Sequence, residues 1–153
     1  MWLTIKNNSD KKVNIYKNIS LIKIHQFTFN TIYQALKINE IQTIYIKVFQ
    51  EEVYIFLNHD NLLKIKEIFN FEQYSLLIEN NLTMIVCRAD SPLAKINILS
   101  KFNNLVEKYN LHLIEVIDRK DEVIQVFKDL QRKYETTILE QITPQKRKTP
   151  ALW

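Results

Sequence analysis

The sequence predicts an α+β fold built from two β-α-β-β-α units in tandem, with antiparallel sheets. Three observations predict it. Strand-like and helix-like segments follow one another in the same order twice along the 153 residues. The stretch from Cys87 to Ile117, CRADSPLAKINILSKFNNLVEKYNLHLIEVI, changes from strand to helix and back to strand. Pro92, the one proline before the C-terminal tail, stands where that helix should begin.

The first half is read in order. Ile19–Phe27 is apolar and β-branched, as a strand requires. Thr28 is placed to cap a short helix carrying Phe29, Ile32, Tyr33 and Leu36, with Asn39 near its end. Thr43–Phe49 and Glu52–Asn58 are strands around the polar pair Gln50-Glu51, a hairpin lacking the favoured turn glycine. Asp60 can cap a second helix bearing Leu62, Ile65, Lys66 and Phe69. Two further strands are expected, at Val13–Lys17 and at Tyr74–Asn80, the latter joined to the next strand or crossing between the units.

The second half repeats the order. Leu82–Cys87, LTMIVC, reads as a buried strand. Asp90 or Ser91 can cap the next helix, and Pro92 suits its first turn, where a missing N–H costs nothing. Leu93, Ile96, Leu99, Phe102, Leu105, Val106 and Tyr109 suggest one apolar helical face. Asn110 sits where a left-handed cap is expected. Leu111–Asp118 is a strand again. Asp121–Phe127 lies over Glu51–Leu57 and is read as a strand, although Val123, Phe127, Leu130 and Tyr134 also fall at helical spacing. The segment from Lys128 to Ile142 lies over the second helix of the first half. These matches give residues 1–18 as an N-terminal segment holding a strand, 19–73 and 74–142 as the two units, and 143–153 as a basic tail with two prolines and no periodicity.

Composition excludes several functions. Hydrophobic residues make up 46% and charged residues 25%, as in a folded soluble domain. The chain has no glycine, and phosphate-cradling loops need glycine so that backbone amides can approach the anion. A P-loop, a dinucleotide fingerprint and a G-x-S-x-G nucleophile elbow are therefore excluded. The single cysteine, Cys87, cannot form an internal disulfide. The start MWLTIKNNSDKK lacks a signal-peptide core, and no uncharged apolar run nears the ~18–20 residues needed to span a bilayer. A cytoplasmic protein without a membrane partner is expected.

The residues that could carry chemistry have simpler readings. His25, His59 and His112 have no zinc-like spacing, and Cys87 has no partner cysteine, so no metal or cofactor is expected. Cys87, ending a buried strand, reads as a small core residue. Glu51-Glu52 and Asp121-Glu122 sit at hairpin turns, where solvated charge is the default. Tyr45, Phe49, Tyr54 and Phe56 read as cross-strand packing rather than a base-stacking platform. A net charge of +4 and the run Lys146-Arg147-Lys148 make a weak footprint for nucleic acid, which is not an expected partner.

The element order, with a strand followed by ADSPLAKINILSKF and a second strand, resembles paired ACT domains. These are ferredoxin-like regulatory modules that commonly bind amino acids. Asp90-Ser91-Pro92-Leu93 matches the Asp and Pro of the ACT turn D-x-P-G and departs at its Gly. The first half has Gln26-Phe27-Thr28-Phe29-Asn30 at the equivalent turn. LLIENNLTMIVC, from Leu76 to Cys87, is similar to the inter-domain segment of aspartokinases, particularly the regulatory tail of the Bacteroidetes-type enzymes. The kinase's lysine motif and glycine-rich nucleotide site are not in the sequence. The resemblance implies a non-catalytic regulatory module, free-standing or decayed. Its ligand-binding residues would be Gln26, Phe27, Thr28, Phe29 and Asn30, with Asp90, Ser91, Pro92 and Leu93. A helix N-terminus there would offer amides and a positive dipole end to a carboxylate; the alternative is that Asp90 and Ser91 only cap the helix. The implied partners are an amino-acid effector, a partner enzyme and a second copy of the chain, paired through sheet edges. Two other readings are an interaction or oligomerisation module that has lost its ligand, and a weak nucleic-acid binder acting through the basic tail.

Overall fold

Two long antiparallel strands carry the architecture of the computed structural model, which describes residues 12–68, 70, 73 and 75–143. Strand β1 spans Val13–His25 and β4 spans Ser75–Arg88. A single 3-10 turn at Gln26–Thr28 leads from β1 into helix α1, Phe29–Ile38; β2 (Tyr45–Phe49), β3 (Glu52–Asn58) and α2 (His59–Ile68) complete the first half. After β4 come α3 (Pro92–Tyr109), β5 (Leu113–Arg119), β6 (Glu122–Lys128) and α4 (Arg132–Ile142). The order β-α-β-β-α thus occurs twice, and Glu122–Lys128 is a strand. Expectations for residues 1–11, Phe69, Tyr74 and 144–153 lie outside the described residues. No described helix is long and apolar enough to cross a membrane.

The six strands among the described residues form one sheet in the order β2-β3-β1-β4-β6-β5. The strand expected at Val13–Lys17 is the opening of β1, and the described part of the one expected at 74–80 is the opening of β4. The two long strands therefore serve both halves. β3 pairs with β1 only from Ile19 onward, and β6 pairs with β4 only from Leu82 onward. The early part of β1 is the fourth strand of the second half's sheet, where Val13 meets Cys87. The early part of β4 is the fourth strand of the first half's sheet, where Ile22 meets Ile78.

The handover between halves is marked by two offsets in register. Between Tyr16 and Ile19, β1 carries one extra residue; between Leu82 and Glu79, β4 carries one. Asn18 (φ 57°) and Asn81 (φ 59°) lie in these bulges in the left-handed region. Asparagine tolerates that conformation better than most residues with a Cβ, which lets a chain without glycine bend its two longest strands.

The bend folds the sheet upon itself. Leu21, Tyr54 and Phe56 of the first half pack in one cluster with Met84, Val86, Ile117, Ile124 and Val126 of the second. The two edge strands meet across this layer: Lys47 Nζ lies 2.9 Å from Glu115 Oε1, and the Arg119 guanidinium stands 5.5 Å from the Tyr45 ring centre. Helices cover the outer faces. Ile32, Leu36, Leu62 and Ile65 of α1 and α2 pack on Ile22, Ile24, Ile55 and Leu57. Phe102, Leu105, Ile138 and Ile142 of α3 and α4 pack on Ile85, Cys87 and Phe127. Strands covered on both sides need no apolar–polar alternation, and Val53–Leu57 in β3 is buried without interruption.

Helix α3 departs from its expected face. Leu93 is 68% exposed and Ile96 61% exposed, while Ile98, Phe102, Leu105, Val106 and Tyr109 join the core. The cause is geometric. A strict three-residue spacing drifts about 60° around a helix at each step, so the series from Leu93 to Leu105 cannot hold one face.

One polar relay ties α2 to the bend. The buried Ser20 hydroxyl donates to Asn80 Oδ1 at 2.9 Å. Its one hydrogen is thereby used, so it accepts from His59 Nδ1 at 3.0 Å.

The strained bend gives a direct test. Asn18→Val should destabilise the fold by about 1–2 kcal/mol, the cost of a left-handed residue with a Cβ, whereas Asn18→Gly should be close to neutral. Urea unfolding of both variants measures the difference.

Candidate functional site

The site is built where β4 ends and α3 begins. The Arg88 amide donates to the Lys12 carbonyl, and the Ala89 amide donates to the Asp121 carbonyl, each at 2.9 Å. These bonds hold the end of β4 between the start of β1 and the β5–β6 turn. Ser91 is the N-cap: its backbone is extended, and its Oγ accepts from the Ala94 amide at 3.1 Å. Pro92 occupies the first helical position, as expected. The Lys95 amide donates to the Ser91 carbonyl at 3.1 Å. Proline has no N–H, so the first turn keeps at most the Leu93 amide for a ligand. The capping reading of Ser91 is the observed one.

Beside this turn lies a cavity of about 350 Å³. Its walls come from Lys12, just before β1, Val13 of β1, the chain from Cys87 to Ser91, Ala94, Asn97, Ile98 and Lys101 of α3, and Ile142 of α4. Asp90 and Ser91 therefore line a space large enough for a small ligand. Lys12, Asn97, Lys101 and Ile142 were not anticipated. Ala94, Asn97, Ile98 and Lys101 recur at helical spacing, so one stripe of α3 was legible in principle. Lys12 and Ile142 reach the cavity only through the tertiary fold.

Cys87 forms part of the cavity wall but is 1% exposed. Burial pushes its thiol up to about 12. It is a packing residue and not a nucleophile at neutral pH. Among the described residues, no three of His, Cys, Asp and Glu cluster to hold a metal.

The first loop is built differently. The Gln26 amide donates to the Glu51 carbonyl at 2.7 Å. Thr28 Oγ1 donates backward to the His25 carbonyl at 2.9 Å and does not cap α1. Phe27 is 82% exposed and stacks on His25 at 5.1 Å. Phe29 stacks on Tyr33 at 5.4 Å, and Asn30 is exposed.

The two loops do not meet. At one end of the β1–β4 ladder Val13 faces Cys87, and at the other Ile24 faces Ser75. Eleven residues of bent strand separate the two ends. Antiparallel pairing of equivalent strands puts equivalent ends at opposite poles. Gln26–Asn30 and Asp90–Leu93 are thus two separate places on the molecule.

No protein-family model and no curated protein matches the sequence. Solved structures match the fold. The regulatory subunit of aspartate kinase from Thermus flavus superposes with a TM-score of 0.62 at 9% identity, covering 86% of this chain and 94% of that one. A C-terminal regulatory domain assigned to the aspartate kinase of Porphyromonas gingivalis W83 gives 0.56 at 11% identity, covering 86% and 94%. The aspartate kinase of Clostridium acetobutylicum gives 0.64 at 14% identity, with 85% of this chain and 33% of that one. This chain spans nearly all of the separate regulatory chains and about a third of the complete kinase. It has the ACT-like, aspartokinase-regulatory α+β fold.

Two outcomes follow from this geometry. Ser91→Ala removes the cap and should cost about 1 kcal/mol in urea unfolding. The buried thiol has its pKa raised on folding, so its contribution is complete below the ordinary value of 9.0 and is lost as pH rises toward about 12. Through that window the unfolded chain holds fewer protons, and stability should fall by about 1.4 kcal/mol per pH unit. Cys87→Ala should show a flatter fall over the same range.

Proposed function

We propose that the chain is a non-catalytic regulatory module that binds an amino acid or similar small ligand in a cavity of its second ACT-like unit, near 74–142, completed by the opening of β1, rather than at the interface of that unit with the first, near 19–73. The carrying observation is the cavity at the β4–α3 turn. It draws its walls from the opening of β1 and from the second half of the chain, so a ligand there touches both partners of the shared ladder. The fold supports the reading, since the matched proteins include regulatory subunits without a kinase domain. One similar structure, E. coli aspartokinase III, is in complex with lysine and aspartate. The ligand would act by stabilising one arrangement of the folded sheet and passing that preference to a partner enzyme or a second copy of the chain. Asp90 and Ser91 are the proposed contacts at this cavity, with Pro92 and Leu93 shaping the turn. Gln26–Asn30 would form a second, separate contact surface.

A second reading has its own support. The amides of the α3 first turn are largely committed, and Phe27, Leu93 and Ile96 are exposed, as in a module that meets a protein partner and has lost its ligand.

A thermal-shift screen against the standard amino acids separates the two. Binding at a hundredfold excess over Kd adds about 2.7 kcal/mol, a rise of several degrees in Tm. A dose-dependent rise with one amino acid, reduced by Asp90→Ala, is the expected outcome. A flat screen would reject ligand binding and leave the interaction module.

A further inference from the structure

We infer that the cavity beside α3 takes an amino acid with an aliphatic side chain of leucine or isoleucine size, inserted apolar end first. The inference rests on the reading that this cavity binds a small ligand, and it names the chemistry of that ligand's side chain. Val13, Cys87, Ile98 and Ile142 all line the cavity. Cys87 and Ile142 belong to the buried apolar cluster between the second half-sheet and its helices, and Val13 and Ile98 pack against that cluster. The cavity therefore opens at the margin of this core, and its floor is apolar. The four residues come from β1, β4, α3 and α4, so the floor exists only once all four elements have packed.

The backbone donors around this floor are already committed. The Arg88 and Ala89 amides donate to the Lys12 and Asp121 carbonyls, and the Ala94 amide donates to Ser91 Oγ. Of the four floor side chains only Cys87 titrates, and its thiol, pushed up to about 12 by burial, is neutral at pH 7. A charged ligand side chain reaching the floor would lose water and meet no opposite charge, a cost that hydrocarbon does not bear. Asp90, Ser91, Asn97 and Lys101 are exposed and make a hydrated rim, where the ligand's ammonium and carboxylate can stay in water. The space of about 350 Å³ is at the small end of the ~300–1,000 Å³ of ligand pockets, so it suits a single aliphatic amino acid. Each buried methylene strengthens binding about fourfold, so affinity should climb with side-chain length until the floor is reached.

Titration calorimetry on the full chain tests this with L-alanine, L-valine, L-leucine, L-isoleucine, L-phenylalanine, L-lysine and L-aspartate, at two temperatures. The expected result is an affinity that rises from alanine through valine to leucine or isoleucine, with a negative heat-capacity change. Ala94→Leu fills the space from α3 with a good helix former and should weaken leucine binding at least tenfold. Val13→Thr keeps the shape of the floor, adds a hydroxyl and should weaken it severalfold. Ile96→Ala, on the exposed side of α3, should bind as the unaltered chain does, and urea unfolding confirms that each variant is folded. Tightest binding by lysine, aspartate or phenylalanine would overturn the side-chain class and leave the ligand-binding reading standing. Leucine binding indifferent to both Ala94→Leu and Val13→Thr would overturn the location. Silence from every amino acid would reject the ligand-binding reading itself and this inference with it.

Discussion

The antiparallel pairing of β1 with β4 is the constraint on which the rest of the molecule depends. Each strand is long enough to finish one half-sheet and then enter the other. A straight ladder of that length would leave a large flat sheet with one apolar face uncovered. The offsets at Asn18 and Asn81 turn it instead, and the uncovered faces meet. Burial of that inner layer, removing apolar area at about 25 cal/mol per Å², holds the bend closed. Helices are needed only on the outside, where α1 and α2 cover one half-sheet and α3 and α4 the other.

The same pairing decides what the candidate site can be. Because equivalent strands run in opposite directions, the loop after β1 and the loop after β4 sit at opposite poles. Each loop must then find its neighbours locally. The second has the opening of β1 and the end of α4 beside it, and a cavity results. The first is held by the β2–β3 turn through Gln26 and presents Phe27 outward. Two units of like order thus end in unlike surfaces.

Much of the fold was legible in the sequence because it is written in local periods and caps. Pro92 after Ser91, Asn110 at the far end of α3, and the apolar runs of β3 and β4 each reflect a short-range rule. The sharing of β1 and β4 was not legible, since strand partners far apart in sequence leave no local mark. The orientation of Leu93 and Ile96 was misread because a spacing of three imitates a helical face over one step and fails over four. Asp90 and Ser91 stood out through capping chemistry. Lys101 is an ordinary exposed lysine until the fold sets it and Lys12 in the wall of one cavity.

The sharing of strands also bears on how the chain reaches this structure. Neither half can complete four strands from its own residues, because each borrows the last one from the other. The pairs that close the sheet, such as Val13 with Cys87, join positions far apart along the chain. Loop closure must precede the contacts that reward it, and folding dominated by such pairs is slow. The two halves are repeats in their order of elements, yet they are not independent modules. A chain cut between them would leave each piece with an unpaired edge where its borrowed strand belongs, the kind of edge that recruits other chains.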